Sequence, residues 1–284
     1  MRWPLRRSGT IRRLNYFDKQ AALELFARDP VASVLARMPF EQGYPRPAHA
    51  VGYCEDDGDL TAVCWVGANI APVGFSPAGL DALAHYLRSW RRLASSLVGP
   101  ADQVMGLWDR IADFYPEPRE IRPKQLSMVY RGGTGLPGDP ETRPATVGEG
   151  SLVVPASIAM FIEEVGYDPT MYGPGYVQRV HSLVRAGHTF VRMGKDPDGL
   201  DRVEFKADIG ALAGGVAQVQ GVWTHPDLRG RGIGSAAMVA VAEQIQDTIA
   251  PTVSLYVNDY NLPAVRMYEK IGFETVGHFA TVLL

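Results

Sequence analysis

Gln220-Gly221-Val222-Trp223-Thr224-His225-Pro226-Asp227-Leu228-Arg229-Gly230-Arg231-Gly232-Ile233-Gly234 is the most informative stretch of the chain. It joins a strand-like run, Val216–Thr224, to a helical segment, Ile233–Ile249, whose Ile233, Ala237, Val241 and Ile245 recur at i, i+4. Successive N–H groups in a glycine-rich turn, followed by the free N–H groups of a helix start, form a concave site for anions. Arg229 and Arg231 add positive charge at the place where a phosphate oxygen would sit. A P-loop requires Gly-Lys-Ser/Thr, and here Gly232 is followed by Ile233; a dinucleotide fingerprint requires G-x-G-x-x-G, and these glycines are spaced by two throughout. Neither template fits. An anion cradle and a plain strand-to-helix turn both stay open, and the two arginines favour the first.

Outward from this turn the pattern alternates. Upstream, a helix is expected over about 155–164, then the loop Gly166–Tyr176 and a second helix to about Ala186. His188–Met193 and Val203–Ile209 flank Asp196-Pro197-Asp198-Gly199 as a hairpin. Downstream come a strand, Val253–Val257, a helix, Pro263–Lys270, stopped by Gly272, and a last strand, Val276–Leu283. The run Arg131-Gly132-Gly133-Thr134-Gly135-Leu136-Pro137-Gly138-Asp139-Pro140 blocks both helix and ladder, so a linker is expected at about 131–146. The domains are then 1–130 and 147–284. The first repeats the order of the second. Ala50–Cys54 and Leu60–Val66 flank Asp57-Gly58 as a hairpin, Ala68–Phe75 comes next, then a helix from about Pro77 to Arg91, a strand at Leu93–Val98 and a helix at Ala101–Phe114.

Composition bounds the rest. The 284 residues are 46% hydrophobic and 21% charged, enough to bury a sizeable core and too apolar for a disordered chain. No apolar run approaches the ~18 residues of a membrane helix. Two cysteines, Cys54 and Cys64, exclude a disulfide scaffold and point to a reducing cytoplasm. Net charge is −3, yet Arg2, Arg6, Arg7, Arg12 and Arg13 open the chain without an acid among them, so the remaining residues are more acidic than the total. A solvated basic terminus explains this better than a nucleic-acid arm, and a pI of 6.1 argues against nucleic acid as the main partner. No H-x-x-x-H or H-x-E pair occurs among the scattered histidines, so no metal is expected. No G-x-S-x-G elbow supports a serine nucleophile.

Two motifs in order carry a resemblance. Arg229-Gly230-Arg231-Gly232-Ile233-Gly234 resembles the Q/R-x-x-G-x-G/A pyrophosphate loop of the GNAT superfamily of acyl-CoA-dependent N-acyltransferases. Asn261 to Phe273 resembles that family's later signature, N-x-x-A-x-x-x-Y-x-x-x-G-F, through Asn261, Ala264, Tyr268, Gly272 and Phe273. The strong part covers about residues 188–284, and the whole chain is similar to a subgroup with an amino-terminal domain of unknown function. The resemblance implies an α/β (α+β) fold of tandem GNAT-like domains. Each has a mixed, mostly antiparallel central sheet flanked by helices, and parallel strands splay at the cofactor site of the second. It implies acetyl-CoA as cosubstrate, with Val222, Trp223 and Thr224 alongside the pantetheine and Arg229, Gly230, Arg231, Gly232, Ile233 and Gly234 around the pyrophosphate. An amide near Val222 would act as oxyanion donor and Asn261 would orient the cofactor. Tyr268 would protonate the departing thiolate. Without the motif it reads as a core aromatic beside Phe273.

The general base is open. A lysine amine with pKa ~10.4 is neutral to only about one part in 2,500 at pH 7, a barrier of about 4.6 kcal/mol. Many relatives place a glutamate on the strand before the loop, where this chain has Gln218 and Gln220. Glu204 and Asp208 on the preceding strand are the next candidates, although Glu204, Lys206 and Asp208 at period 2 also read as a solvated strand face. Three tyrosines in Gly166–Tyr176, with Glu163 and Glu164 nearby, suit a cationic amine or a rigid aromatic turn. The acceptor is expected to be an amine of a protein or peptide, with a small-molecule amine or a non-catalytic acyl-CoA-binding module as alternatives. The first domain lacks the loop and is read as a degenerate copy that walls the substrate cleft or carries a homodimer contact.

Overall fold

The computed structural model describes residues 9–43, 49–55, 58–89 and 94–284. Asp57 of the first hairpin turn, Arg91 and Leu93 at the ends of an expected helix and strand, and Arg2, Arg6 and Arg7 of the basic terminus lie outside them. In chain order the elements are β1 (Thr10–Arg13), α1 (Lys19–Phe26), α2 (Pro30–Glu41), β2 (Ala50–Cys54), β3 (Leu60–Val66), β4 (Asn69–Val73), α3 (Pro77–Arg88), β5 (Ser96–Pro100), α4 (Ala101–Ile111) and β6 (Glu120–Tyr130). They continue with β7 (Arg143–Pro144), α5 (Gly150–Val165), α6 (Gly175–Arg185), β8 (Thr189–Lys195), β9 (Asp201–Ala213), β10 (Val216–Thr224), α7 (Ile233–Thr248), β11 (Thr252–Asn258), α8 (Leu262–Lys270) and β12 (Phe273–Leu283).

These elements fall into two compact units. Unit 1 holds residues 1–127, 256–261 and 275–284, and unit 2 holds 128–255 and 262–274. Alternation along the strands builds unit 1. On β3, Ala62, Cys64 and Val66 face one core with Leu83 and Leu87 of α3 and Leu107 and Trp108 of α4. Val63 faces the other with Phe26 of α1 and Phe40 of α2, whose rings meet edge-on at 5.4 Å. Burying each such ring stabilises the fold by about 1.5–3 kcal/mol. The ladder β1-β2-β3-β4 is antiparallel, β4 and β5 are parallel, and β5 pairs antiparallel with β12 through Leu97↔Val282 and Gly99↔Ala280.

The arginine-rich start is partly structured. Arg12 lies in β1 and pairs with Asp18 at 2.6 Å, and Arg13 donates to the Tyr86 hydroxyl at 3.3 Å. That corrects the expectation of a merely solvated terminus for these two residues. The reason is local: the Asn15–Asp18 capping box holds Asp18 within reach of Arg12.

Unit 2 carries the antiparallel ladder β7-β8-β9-β10, closed by β11 parallel to β10. Helix α5 packs against β9 and β10, as does α7. The solvated-face reading of β9 is therefore corrected: Lys206 is 0% and Asp208 7% exposed, because helices cover the middle of the strand. Helix α7 is also buried more widely than an i, i+4 stripe implies, through consecutive Ala237, Met238, Val239, Ala240, Val241 and Ala242. The segment after β6 crosses it. The Asp139 N–H donates to the Ala236 carbonyl at 3.0 Å, and Gln244 Nε2 to the Thr142 carbonyl at 2.8 Å.

Candidate active site

The site forms where two neighbouring strands part. β10 and β11 pair in parallel through Val216↔Thr252, Ala217↔Val253 and Gln218↔Ser254, and the register stops there although β10 runs on to Thr224. At that last rung Gln218 is 3% and Ser254 0% exposed. Neither Gln218 Nε2 nor Ser254 Oγ has a hydrogen-bond partner among the described residues. Leaving a buried polar group unpaired costs about 1–3 kcal/mol.

Beyond the split, β10 bulges. Its register with β9 jumps from Gln220↔Asp208 to Trp223↔Lys206, so Gly221 and Val222 together stand opposite the single residue Ala207. Gly221 has φ +60°, and a Cβ there would stand 3.0 Å from Asp208 Oδ2, 3.2 Å from Lys206 Nζ and 3.2 Å from Met160 Cε. The backbone angle favours glycine, and a side chain there would press on the ends of these three. Beneath it Lys206 Nζ donates to Asp208 Oδ2 at 2.6 Å and to the Gly221 carbonyl at 3.1 Å, while Thr189 Oγ1 donates to Asp208 Oδ1 at 2.8 Å.

The glycine-rich turn comes next. Gly232 has φ +82° and caps α7 without any side-chain hydrogen bond, so the first amides of a long helix keep their donors. No atom lies within 4 Å of where a Cβ would stand at Gly230 or Gly232, which leaves the cradle open. These features fit a pyrophosphate. Arg229 is occupied: its Nε donates to the Thr224 carbonyl at 3.0 Å and its NH2 to Glu163 Oε2 at 2.6 Å. Glu163 Oε1 also accepts from Trp223 Nε1 at 3.1 Å, so one carboxylate ties α5 to both ends of the turn. Arg231 is exposed and forms no ion pair among the described residues. His225 is a local brace, its Nδ1 accepting from the Asp227 N–H at 3.4 Å and its ring edge-on to Trp223 at 5.6 Å.

Tyr268 on α8 is 6% exposed and meets Phe273 edge-on at 5.5 Å, so it is both core aromatic and buried phenol. Burial pushes its pKa above the usual tyrosine range, and the Glu164 charge pushes it further. Tyr176 is raised in the same way, by burial first and then by the Asp208 charge. The tyrosines of the loop are linked edge to face, with Phe161 5.3 Å from Tyr167 and 5.1 Å from Tyr176, and Tyr167 5.5 Å from Tyr172. Met171 and Tyr172 nevertheless stay 74% and 71% exposed.

Two residues singled out in the sequence have local partners. Glu204 lies in an ion pair with Arg192, 2.5 Å from NH1, and Arg192 also reaches Asp139 at 3.2 Å. The Glu204 carbonyl accepts the His225 N–H at 2.8 Å. Asn261 ends the turn after β11, its N–H donating to the Asn258 carbonyl at 3.0 Å, in the part of the chain that belongs to unit 1. Asp208, a candidate base in the sequence, is buried against Lys206; that pairing and the orphaned rung Gln218–Ser254 were missed as site features. Opposite charges at i and i+2 between Phe205, Ala207 and Ile209 were the only local signal of the first.

Residues 190–273 match the acetyltransferase (GNAT) family, and residues 48–153 match a domain of unknown function (DUF4081). A mycothiol acetyltransferase of Saccharomonospora viridis is 39% identical over 61 residues, 22% of this chain and 20% of that protein. An acetyltransferase of Pectobacterium atrosepticum is 32% identical over 90 residues, 30% of this chain and 64% of that protein. The chain thus spans about a fifth of the mycothiol acetyltransferase and just under two thirds of the other relative. A GCN5-related N-acetyltransferase from Sphaerobacter thermophilus superposes with a TM-score of 0.61 at 16% identity, covering 97% of this chain and 95% of that one. A tandem GNAT protein from the clavulanic acid biosynthesis pathway superposes with a TM-score of 0.52 at 15% identity, covering 96% and 98%. Both likenesses are of fold. With its parted strands, its bulge and its uncapped glycine-rich helix start, the segment 190–273 belongs to the GNAT acetyltransferase family and follows an amino-terminal domain of unknown function.

Proposed function

We propose that the chain transfers an acetyl group from acetyl-CoA to a primary amine of a protein or peptide, by direct attack in a ternary complex. The observation that carries this reading is the parting of β10 from β11 beside the bulge, above a helix start whose amides are uncapped. In this reading Val222, Trp223 and Thr224 line the pantetheine arm. The amides of Gly230 to Gly234 and the side chain of Arg231 hold the pyrophosphate, and Arg229 joins them by exchanging Glu163 for a phosphate oxygen. Asn261 is assigned to the cofactor by its motif. The Val222 N–H receives the negative charge that develops on the thioester oxygen. The nitrogen–carbon bond forms as the carbon–sulfur bond breaks, and Tyr268 gives its proton to the leaving sulfur.

Glu164, whose charge reaches both Tyr268 and Tyr176, takes the proton released by the amine and returns it to Tyr268 through solvent. Glu204, neutralised by Arg192, braces the strands instead. The exposed Met171 and Tyr172 offer an apolar rim to a peptide. A small-molecule amine is the second reading, supported by the partial likeness to mycothiol acetyltransferases.

Thermal unfolding with and without acetyl-CoA tests the reading in the natural chain and in Gly232→Glu. Ligand at 100 times its Kd adds about 2.7 kcal/mol, a rise of several degrees. That rise should vanish in the variant. No rise in the natural chain rejects acetyl-CoA as cosubstrate.

A further inference from the structure

We infer that Lys206 is a positioning residue for acyl transfer: held by Asp208, it fixes and polarises the Gly221–Val222 peptide so that the Val222 N–H serves as oxyanion donor. This rests on the acetyl-transfer reading above. A trans peptide points its carbonyl and its N–H in opposite directions. The Gly221 carbonyl and the Val222 N–H belong to one such peptide, and Lys206 Nζ, reaching from β9, holds that carbonyl at 3.1 Å. The Val222 N–H is thereby turned away from Lys206 Nζ, in a part of β10 that lies beyond its last rung with β11.

The bulge alone does not fix this direction, because Gly221 and Val222 lie outside the ladder register and glycine is the residue with the widest choice of backbone angles. Lys206 supplies the missing constraint. A cation bonded to the carbonyl also draws density from the amide and strengthens its N–H as a donor. The rest of the network holds the cation in place. Lys206 is 0% exposed, Asp208 Oδ2 accepts from it at 2.6 Å, and Thr189 fastens the other carboxylate oxygen at 2.8 Å. Stability gives no strong reason for this arrangement, since a well-packed apolar pair often serves a core as well as a buried ion pair does. Its place beneath the one peptide that must be aimed does give a reason.

The test reads the carbonyl directly. Acetyl-CoA carrying carbon-13 at the thioester carbonyl is bound to the natural chain, to Lys206→Met, to Lys206→Arg and to the double variant Lys206→Met, Asp208→Asn. The double variant leaves no uncompensated buried charge if the single one fails to fold. Isotope-edited infrared spectra then follow the thioester stretch, and CoA lacking the acetyl group reports cradle affinity. A shift to lower frequency in the natural chain, lost in the methionine variants, restored by arginine and accompanied by unchanged CoA affinity, supports the inference. A shift that persists in a folded double variant overturns it. Acetyl-CoA bound without any shift in the natural chain overturns it while leaving the transfer reading intact, whereas no binding of acetyl-CoA rejects both.

Discussion

Glu163 Oε2 lies 2.6 Å from Arg229 NH2, an ion pair that joins the end of α5 to the glycine-rich turn and occupies the first arginine of the motif. The pair is about half exposed, so its net worth is about 0–1 kcal/mol. A bound pyrophosphate would compete with Glu163 for that guanidinium. Glu163→Gln keeps an acceptor for Trp223 Nε1 while removing the charge. Calorimetric titration with CoA should show a Kd lower by up to about fivefold. A weaker Kd would mean that the carboxylate serves binding by shaping the turn.

Arg231 presents the contrasting case, exposed and without an ion pair among the described residues. A charge-assisted hydrogen bond to phosphate is worth about 1.5–3 kcal/mol. Arg231→Ala should therefore weaken CoA binding at least about tenfold. It should weaken dephosphorylated pantetheine little, because that ligand lacks the group Arg231 would hold. Equal losses for both ligands would place Arg231 elsewhere.

Tyr268 must be protonated to act as the acid, and its burial favours that form. Tyr268→Phe should lower kcat by about 100-fold or more while leaving the Kd for acetyl-CoA unchanged. Because the folded pKa lies above the free phenol value, kcat of the natural chain should show no alkaline fall attributable to this group up to about pH 10. A variant with full kcat would make Tyr268 a core aromatic only.

What the sequence makes legible divides along the range of the interactions. The turn from Val216 to Gly234 and the helix after it are local, set by glycine spacing and apolar period, and their bounds agree closely with β10 and α7. The covering of Lys206 and Asp208 is not local: the charges alternate as on a wet strand, and helices laid over β9, α5 among them, keep water off them. Helices α1 and α2 escaped notice because their apolar residues, among them Phe26 and Phe40, come after a tail whose arginines dominate the reading. The partner of the last strand was likewise invisible, since residues 97 and 282 meet only in the folded chain.

Acid should act at the start of α5. Glu149 accepts from Arg143 NH2 at 2.6 Å and from the Thr146 N–H at 2.7 Å. The Arg143 hydrogen bond is the main cause that holds its carboxyl down at about 2, against 4.5 for the free group. A depressed carboxyl adds stability above the unfolded value and loses it as pH falls through the folded one. The contribution should thus be full above about pH 5 and fade between 4.5 and 2. Glu149→Gln should be less stable than the natural chain at pH 7, with the gap closing in that window. A gap independent of pH would show that shape rather than charge holds the cap.

The last strand should control the integrity of unit 1. Val282 is 0% exposed and lies opposite Leu97 in the β5–β12 ladder, within the core that also holds Cys64. Both cysteines of the chain are buried in this unit, and burial raises the Cys64 thiol above its usual range, so the folded thiol is protected and unreactive. Val282→Asp would place an unpaired charge in that core, which is strongly destabilising. Cys64 should then react with a thiol reagent at the rate of the denatured chain. Val276→Asp on the same strand, at a position 46% exposed, should leave both thiols protected. If Val282→Asp leaves them protected as well, β12 is dispensable to unit 1, and β5 must tolerate an open edge.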